Sequence, residues 1–143
     1  MKIAIGNDHR GYGLKVKITA LLSAQGHEVY DFGTDSAESA DYPDFGHLVA
    51  SKVVNDDADR GVLICGTGIG MSMTANKYPG ARAALCYQTE YAELTRRHND
   101  ANILCLGELN GDDLNLEVLT VFINTEFEGG RHQRRIDKIS ACR

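Results

Sequence analysis

Gly61-Val62-Leu63-Ile64-Cys65-Gly66-Thr67-Gly68-Ile69-Gly70-Met71-Ser72 is an apolar run that ends on a cysteine and breaks into three alternating glycines. Val62 to Ile64 reads as a buried strand, and helix-compatible residues resume at Met71. Glycine tolerates positive φ and lets other atoms approach the backbone, so the pattern suits a tight strand-to-helix turn. Such a turn aims N–H groups and the positive end of a helix at one point, where an anion or developing negative charge is stabilised. A cysteine there is biased toward thiolate, its reactive form.

On the amino side of this stretch, Lys2 to Gly6 reads as a strand and Asn7 to Gly11 as a polar turn. Leu14 to Leu22 has helical spacing, closed by Gly26. Glu28 to Phe32 reads as a strand, Gly33 to Asp44 as a polar loop, and Phe45 to Val54 as a helix. On the carboxyl side, a helix is expected from about Met71 to Lys77, then a strand over Ala81 to Cys86. Gln88 to Arg97 suits a helix, followed by the polar step His98-Asn99-Asp100. Asn102 to Leu106 is the fifth strand, Leu114 to Phe127 a long helix, and Arg131 to Arg143 a basic tail.

Strands alternating with helices predict βαβ units, an α/β fold and a parallel sheet buried on both faces. In such sheets the site lies beyond the carboxyl ends of the strands. Asp8–His9, Cys65–Gly70 and His98–Asn99 are all expected there. The 143 residues suit one domain, 1–143, with 43% apolar and 24% charged residues. A net charge of −5 argues against a general nucleic-acid or membrane-surface binder. No segment approaches a membrane span, and Asn7 to Arg10 leave no signal-peptide core. Cysteines 65, 86, 105 and 142 lack CxxC spacing, which predicts neither a disulfide scaffold nor a zinc knuckle. Cys86 and Cys105 read as buried small hydrophobes, and a reducing, cytoplasmic setting is expected.

Nucleotide and phosphatase readings of the loop fail on named residues. The spacing is GxGxG rather than GxGxxG, it follows the third strand, and no GxxxxGK[ST] occurs. A cysteine phosphatase loop needs an arginine where Met71 stands. Taken singly, Cys65 could be a core cysteine, the glycines a structural turn, His98 a hydrogen-bonded structural histidine and Asp8 a helix N-cap. Together they favour a catalytic site with His98 in acid–base work. His27 and His47 read as surface residues. Gly129-Gly130-Arg131-His132-Gln133-Arg134-Arg135 is either a solvated tail or a phosphate clamp, with Arg131 and Arg135 on one face if helical.

Gly6-Asn7-Asp8-His9, Asp41-Tyr42-Pro43-Asp44, Ile64 to Gly70, Arg97-His98-Asn99-Asp100-Ala101-Asn102 and Glu128 to Gln133, in that order, resemble ribose-5-phosphate isomerase type B. That family also includes galactose-6-phosphate and allose-6-phosphate isomerases. The resemblance implies a Rossmann-like three-layer sandwich with a five-stranded parallel sheet. It also implies a metal-free, cofactor-free aldose–ketose isomerase of the pentose phosphate pathway. The assembly is expected to be a homodimer or dimer of dimers with shared sites, the tail from about 129 packing on the partner. By resemblance His98 opens the furanose ring, Thr67 and Asp8 hold ring oxygen and hydroxyls, and Cys65 moves a proton between C1 and C2. Tyr42, Gly66, Gly68, Ile69, Gly70 and Asn99 contact substrate, the loop N–H groups stabilise an enediolate, and His9, Arg131 and Arg135 hold the phosphate.

Some relatives place a glutamate base in the helix after the loop. Ala75 and Asn76 offer none, so Cys65 remains the expected base. One departure bears on substrate. The family usually carries Leu-Gly-x-Arg after the fifth strand, whereas this chain has Leu106-Gly107-Glu108-Leu109 and diverges over Asn110 to Leu116. That phosphate contact is missing. A six-carbon sugar phosphate or a free sugar therefore stands beside ribose 5-phosphate as substrate. A non-catalytic sugar-phosphate sensor and a flavodoxin-like electron carrier are the readings from other classes.

Overall fold

The five strands alternate between two core faces with period two, which fixes where every later residue lies. The computed structural model describes residues 1–141, so Cys142 and the end of the basic tail lie outside the described residues. β1 (Lys2–Asn7), β2 (Glu28–Asp31), β3 (Arg60–Cys65), β4 (Ala83–Leu85) and β5 (Ile103–Gly107) form one parallel sheet in the order β2-β1-β3-β5-β4. Ile3, Ile5, Val62, Ile64, Leu104 and Leu106 face one core, and Ala4, Leu63, Cys65, Ile103 and Cys105 face the other.

α1 (Tyr12–Ala24), α4 (Thr89–Asn99) and α5 (Asp112–Asn124) cover the first face. Leu14, Ile18 and Leu22 of α1, and Val118, Leu119 and Phe122 of α5, are its buried stripe. α2 (Tyr42–Val54) and α3 (Ile69–Ala75) cover the second through Val49, Ala50, Met71 and Ala75. Each large side chain buried in this way contributes about 1.5–3 kcal/mol. The α/β fold with a parallel sheet predicted from the alternation of elements is observed, and so is the five-stranded sandwich that the resemblance implies.

Several boundaries differ from the sequence reading. α2 starts at Tyr42 because Pro43, in its first turn, lacks only an N–H that the helix does not use there. α3 begins at Ile69, two residues early, because Gly68 adopts the left-handed conformation that turns the chain into the helix. β4 shrinks to three residues at the sheet edge. Arg131–Ser140 of the basic tail forms α6, which packs on α4 of the same chain and buries His132 and Ile136. No described helix is long and apolar enough to cross a membrane.

β1 is the switch point of the sheet: the chain moves outward to β2, then returns to place β3 on the other side of β1. Parallel sheets open a crevice beyond the strand ends at such a point. Asn7 sits at its floor, fully buried, its Nδ2 donating to the carbonyls of Asp8 at 2.9 Å and Thr34 at 3.0 Å. Lys15, also buried, ties the following loop down through Asp31 at 2.9 Å and Asp35 at 2.6 Å. Burial disfavours its charge, and the two carboxylates more than offset this, so its pKa is raised.

Candidate active site

Cys65 ends β3 and Asp8 directly follows its neighbour β1, which puts both at the mouth of this crevice. Asp8 caps a 3-10 turn at His9–Gly11, its Oδ1 accepting the N–H of Arg10 at 3.0 Å and of Gly11 at 3.3 Å. The N-cap reading of Asp8 is observed, and its capping contacts use only Oδ1. The His9 ring is fixed by the Ala40 N–H, which donates to Nδ1 at 3.2 Å. That contact assigns the proton to Nε2.

The loop folds around the cysteine. The Gly68 N–H donates to Cys65 Sγ at 3.1 Å. The Ile69 N–H donates to Thr67 Oγ1 at 3.2 Å. Two of the N–H groups expected to face an oxyanion are thus already engaged inside the loop. Cys86 and Cys105 differ: burial alone pushes the Cys86 thiol up to about 12, and burial pushes Cys105 higher still. Both are inert core residues, as expected. Tyr42 is part of the same cluster, since a methyl group on Gly70 would lie 2.6 Å from its ring.

Gly68 is fixed by both conformation and space. Its φ is +79°, and a methyl group there would lie 2.6 Å from Leu85 Cδ1 and 3.0 Å from the Leu106 carbonyl carbon. Gly68→Ala is expected to lower stability by about 1–3 kcal/mol in urea denaturation, through left-handed strain and overpacking together. An unchanged midpoint would show that the loop relaxes freely.

His98 and Asn99 contradict the expectation that all three polar clusters follow strands. They end α4 and precede β5, so they lie at the amino end of the sheet. Cys65 pairs with Gly107 and Gly61 with Ile103, so roughly 13 Å of strand separates the two ends at 3.3 Å per residue. The sequence showed the polar step between a helix and a strand, but a returning helix delivers its end to the opposite edge. Within one chain, Asp8, His9, Tyr42, Cys65, Thr67 and the glycine loop come together, while His98, Asn99 and Arg131 stand apart from them. Arg135 lies four residues after Arg131 on α6, with the second group.

That second cluster has its own geometry. The rings of His98 and His132 stack, with centroids 4.3 Å apart and planes 11° from parallel. Glu128 lies against both, 3.9 Å from His98 Nε2 and 3.7 Å from His132 Nε2. Burial, then the neighbouring His98 and Arg131 charges, lower the pKa of His132. Burial raises the Glu128 carboxyl, but Arg97 outweighs it and the net shift is downward. Ligand atoms of His98, Glu128 and His132 lie within 4.8 Å of one another. The Arg97 Nη2–Glu128 Oε2 pair at 3.0 Å occupies that carboxylate, and the surrounding arginines suit an anion better than a metal cation. Glu128 and His132 were visible in the sequence as part of the Glu128 to Gln133 stretch, but their contact with His98 depends on α6 docking on α4.

The sequence pattern of the Ribose/Galactose Isomerase family matches residues 3–139. The chain belongs to that family. Among the solved structures of the ribose/galactose isomerase family, that of Clostridium thermocellum ribose-5-phosphate isomerase B superposes with a TM-score of 0.97. It is 53% identical, with 99% of this chain and 96% of that one covered. A Mycoplasma genitalium ribose-5-phosphate isomerase B structure with bound ribulose-5-phosphate gives a TM-score of 0.94 at 46% identity, covering 98% and 94%. A putative sugar phosphate isomerase, YwlF, of Bacillus subtilis is 50% identical over 142 residues, covering 98% of this chain and 95% of the relative.

Proposed function

We propose that the protein interconverts ribose 5-phosphate and ribulose 5-phosphate through an enediolate, with Cys65 as the base. The observation that carries this reading is Cys65 Sγ held by the Gly68 N–H at 3.1 Å, beside Asp8 and Thr67 at the switch-point crevice. Cys65 takes the proton from C2 of the open aldose and returns it to C1, while the hydroxyl proton passes from O2 to O1. Negative charge on the enediolate oxygens is met by loop N–H groups other than those of Gly68 and Ile69. Thr67 and Asp8 hold the hydroxyls, with Tyr42, Gly66, Gly70 and Ile69 lining the sugar. His98 protonates the ring oxygen during opening, Asn99 binds the chain, and His9, Arg131 and Arg135 take the phosphate.

One chain cannot bring these two groups to one sugar, so each site is built from two copies. The exposed apolar residues beside the loop, Tyr42 at 41%, Ile69 at 47% and Met73 at 65%, suit a face covered by a second copy. Exposed positions of α6 reach toward the partner's site. Three free cysteines at 65, 86 and 105 suit a reducing, cytoplasmic setting.

Mixing tests the shared site. Cys65→Ala and His98→Asn are each expected to be inactive alone. After equal mixing under subunit exchange, half the dimers are hybrids with one intact site, giving about a quarter of wild-type activity. No recovery despite exchange would place both residues in one chain's site. The six-carbon reading is kept alive by Leu109, and kcat/KM across ribose 5-phosphate, allose 6-phosphate and free ribose distinguishes it.

A further inference from the structure

We infer that Arg10 binds the phosphate of the sugar substrate, supplying the cation that position 109 lacks. The inference rests on the sugar-phosphate reading above. Arg10 directly follows Asp8 and His9 in the capped turn at the carboxyl end of β1. Its side chain runs along the glycine loop: a methyl group built on Gly66 would lie 3.7 Å from both Cζ and Nη1 of Arg10.

Residue 109 meets the same residue of the loop, because the Leu109 N–H donates to the Gly66 carbonyl at 3.0 Å. The two positions therefore flank one point above the loop, and an arginine at either one delivers its charge there. Leu109 is 64% exposed, so core packing does not account for a leucine at this place. Arg10 Nη2 donates to Glu108 Oε2 at 3.0 Å, which orients the side chain. A guanidinium has five N–H donors, so this contact leaves Nε–H and Nη1–H for an oxyanion. With His9 Nε2–H beside it, Arg10 gives the carboxyl end of β1 two adjacent donors for a phosphate. Glu108, which by sequence alone is an acid beside a missing arginine, becomes the group that sets the orientation of the replacement.

Both side chains lie on the surface, so the test variants leave the core intact. Arg10→Met is expected to raise KM for ribose 5-phosphate about 10- to 100-fold, the range of a lost charged hydrogen bond, with kcat within about threefold. The Kd of inorganic phosphate, measured by calorimetry, is expected to rise by a similar factor. Arg10→Met with Leu109→Arg is expected to recover most of both losses. Unchanged KM and phosphate Kd in Arg10→Met would overturn the assignment. So would a fall in kcat at constant KM, or a double variant no better than the single one. Failure of the wild-type protein to turn over ribose 5-phosphate would instead remove the isomerase reading, and the phosphate titrations would still report on Arg10.

Discussion

Cys65→Ser is expected to lower kcat for ribose 5-phosphate by about 10³-fold or more, at the strong end of what a positioned base contributes. Serine keeps the size of the side chain and can accept the Gly68 N–H that now meets Sγ at 3.1 Å. What it loses is the sulfur: a serine hydroxyl is a far weaker acid than a cysteine thiol, and only the thiol suits removal of a carbon-bound proton. The change removes no core volume, so the denaturation midpoint should stay close to wild type. Binding of a substrate-like phosphate should also persist, because the groups proposed to hold phosphate lie elsewhere. Cys86 and Cys105, the other thiols among the described residues, cannot take over, since burial pushes Cys86 up to about 12 and raises Cys105 as well.

His98→Asn gives the second large effect, and its signature is a split between the two directions of reaction. Ribose 5-phosphate closes through O4 onto C1, so it must be opened before any proton leaves C2. Ribulose 5-phosphate has its O5 blocked by phosphate and no five-membered ring within reach of its C2 ketone, so it is always open. The variant should therefore lose about 10²-fold or more in turnover of ribose 5-phosphate. Proton exchange at C1 of ribulose 5-phosphate, followed by NMR in heavy water, should fall by less than about tenfold. Equal losses in both measurements would give His98 a part in the enediolate step itself. The stacked His132 ring and the Glu128 carboxylate, 3.9 Å from His98 Nε2, flank the imidazole.

The fold was legible in the sequence because it is written in short-range patterns. Ile3, Ile5, Val62 and Ile64 alternate with Ala4 and Leu63, and the glycines after β3 mark the turn that ends the strand. The Cys65 loop and the capping role of Asp8 are equally local, and both were readable. The position of His98 was not, because residues 98–100 look alike whether a polar step leads into a strand or out of one. Only the direction of the chain through α4 places them at the amino edge. Arg10 escaped notice for a related reason: it reads as one more polar residue in a turn. Its meaning comes from Gly66 and Glu108, which lie 56 and 98 positions further along the chain. The α6 helix was hidden by its composition, since Arg131 to Ser140 buries only His132 and Ile136 and looks like a solvated basic tail.

In the proposed reaction Cys65 moves a carbon-bound proton. The direct measurement is incorporation of solvent deuterium at C1 of ribulose 5-phosphate in heavy water, comparing wild-type protein with Cys65→Ser. Wild-type protein is predicted to exchange one of the two C1 protons, and Cys65→Ser is predicted to exchange it about 10³-fold more slowly or less. Exchange by Cys65→Ser at a rate near wild type would contradict the assignment of Cys65 as the base.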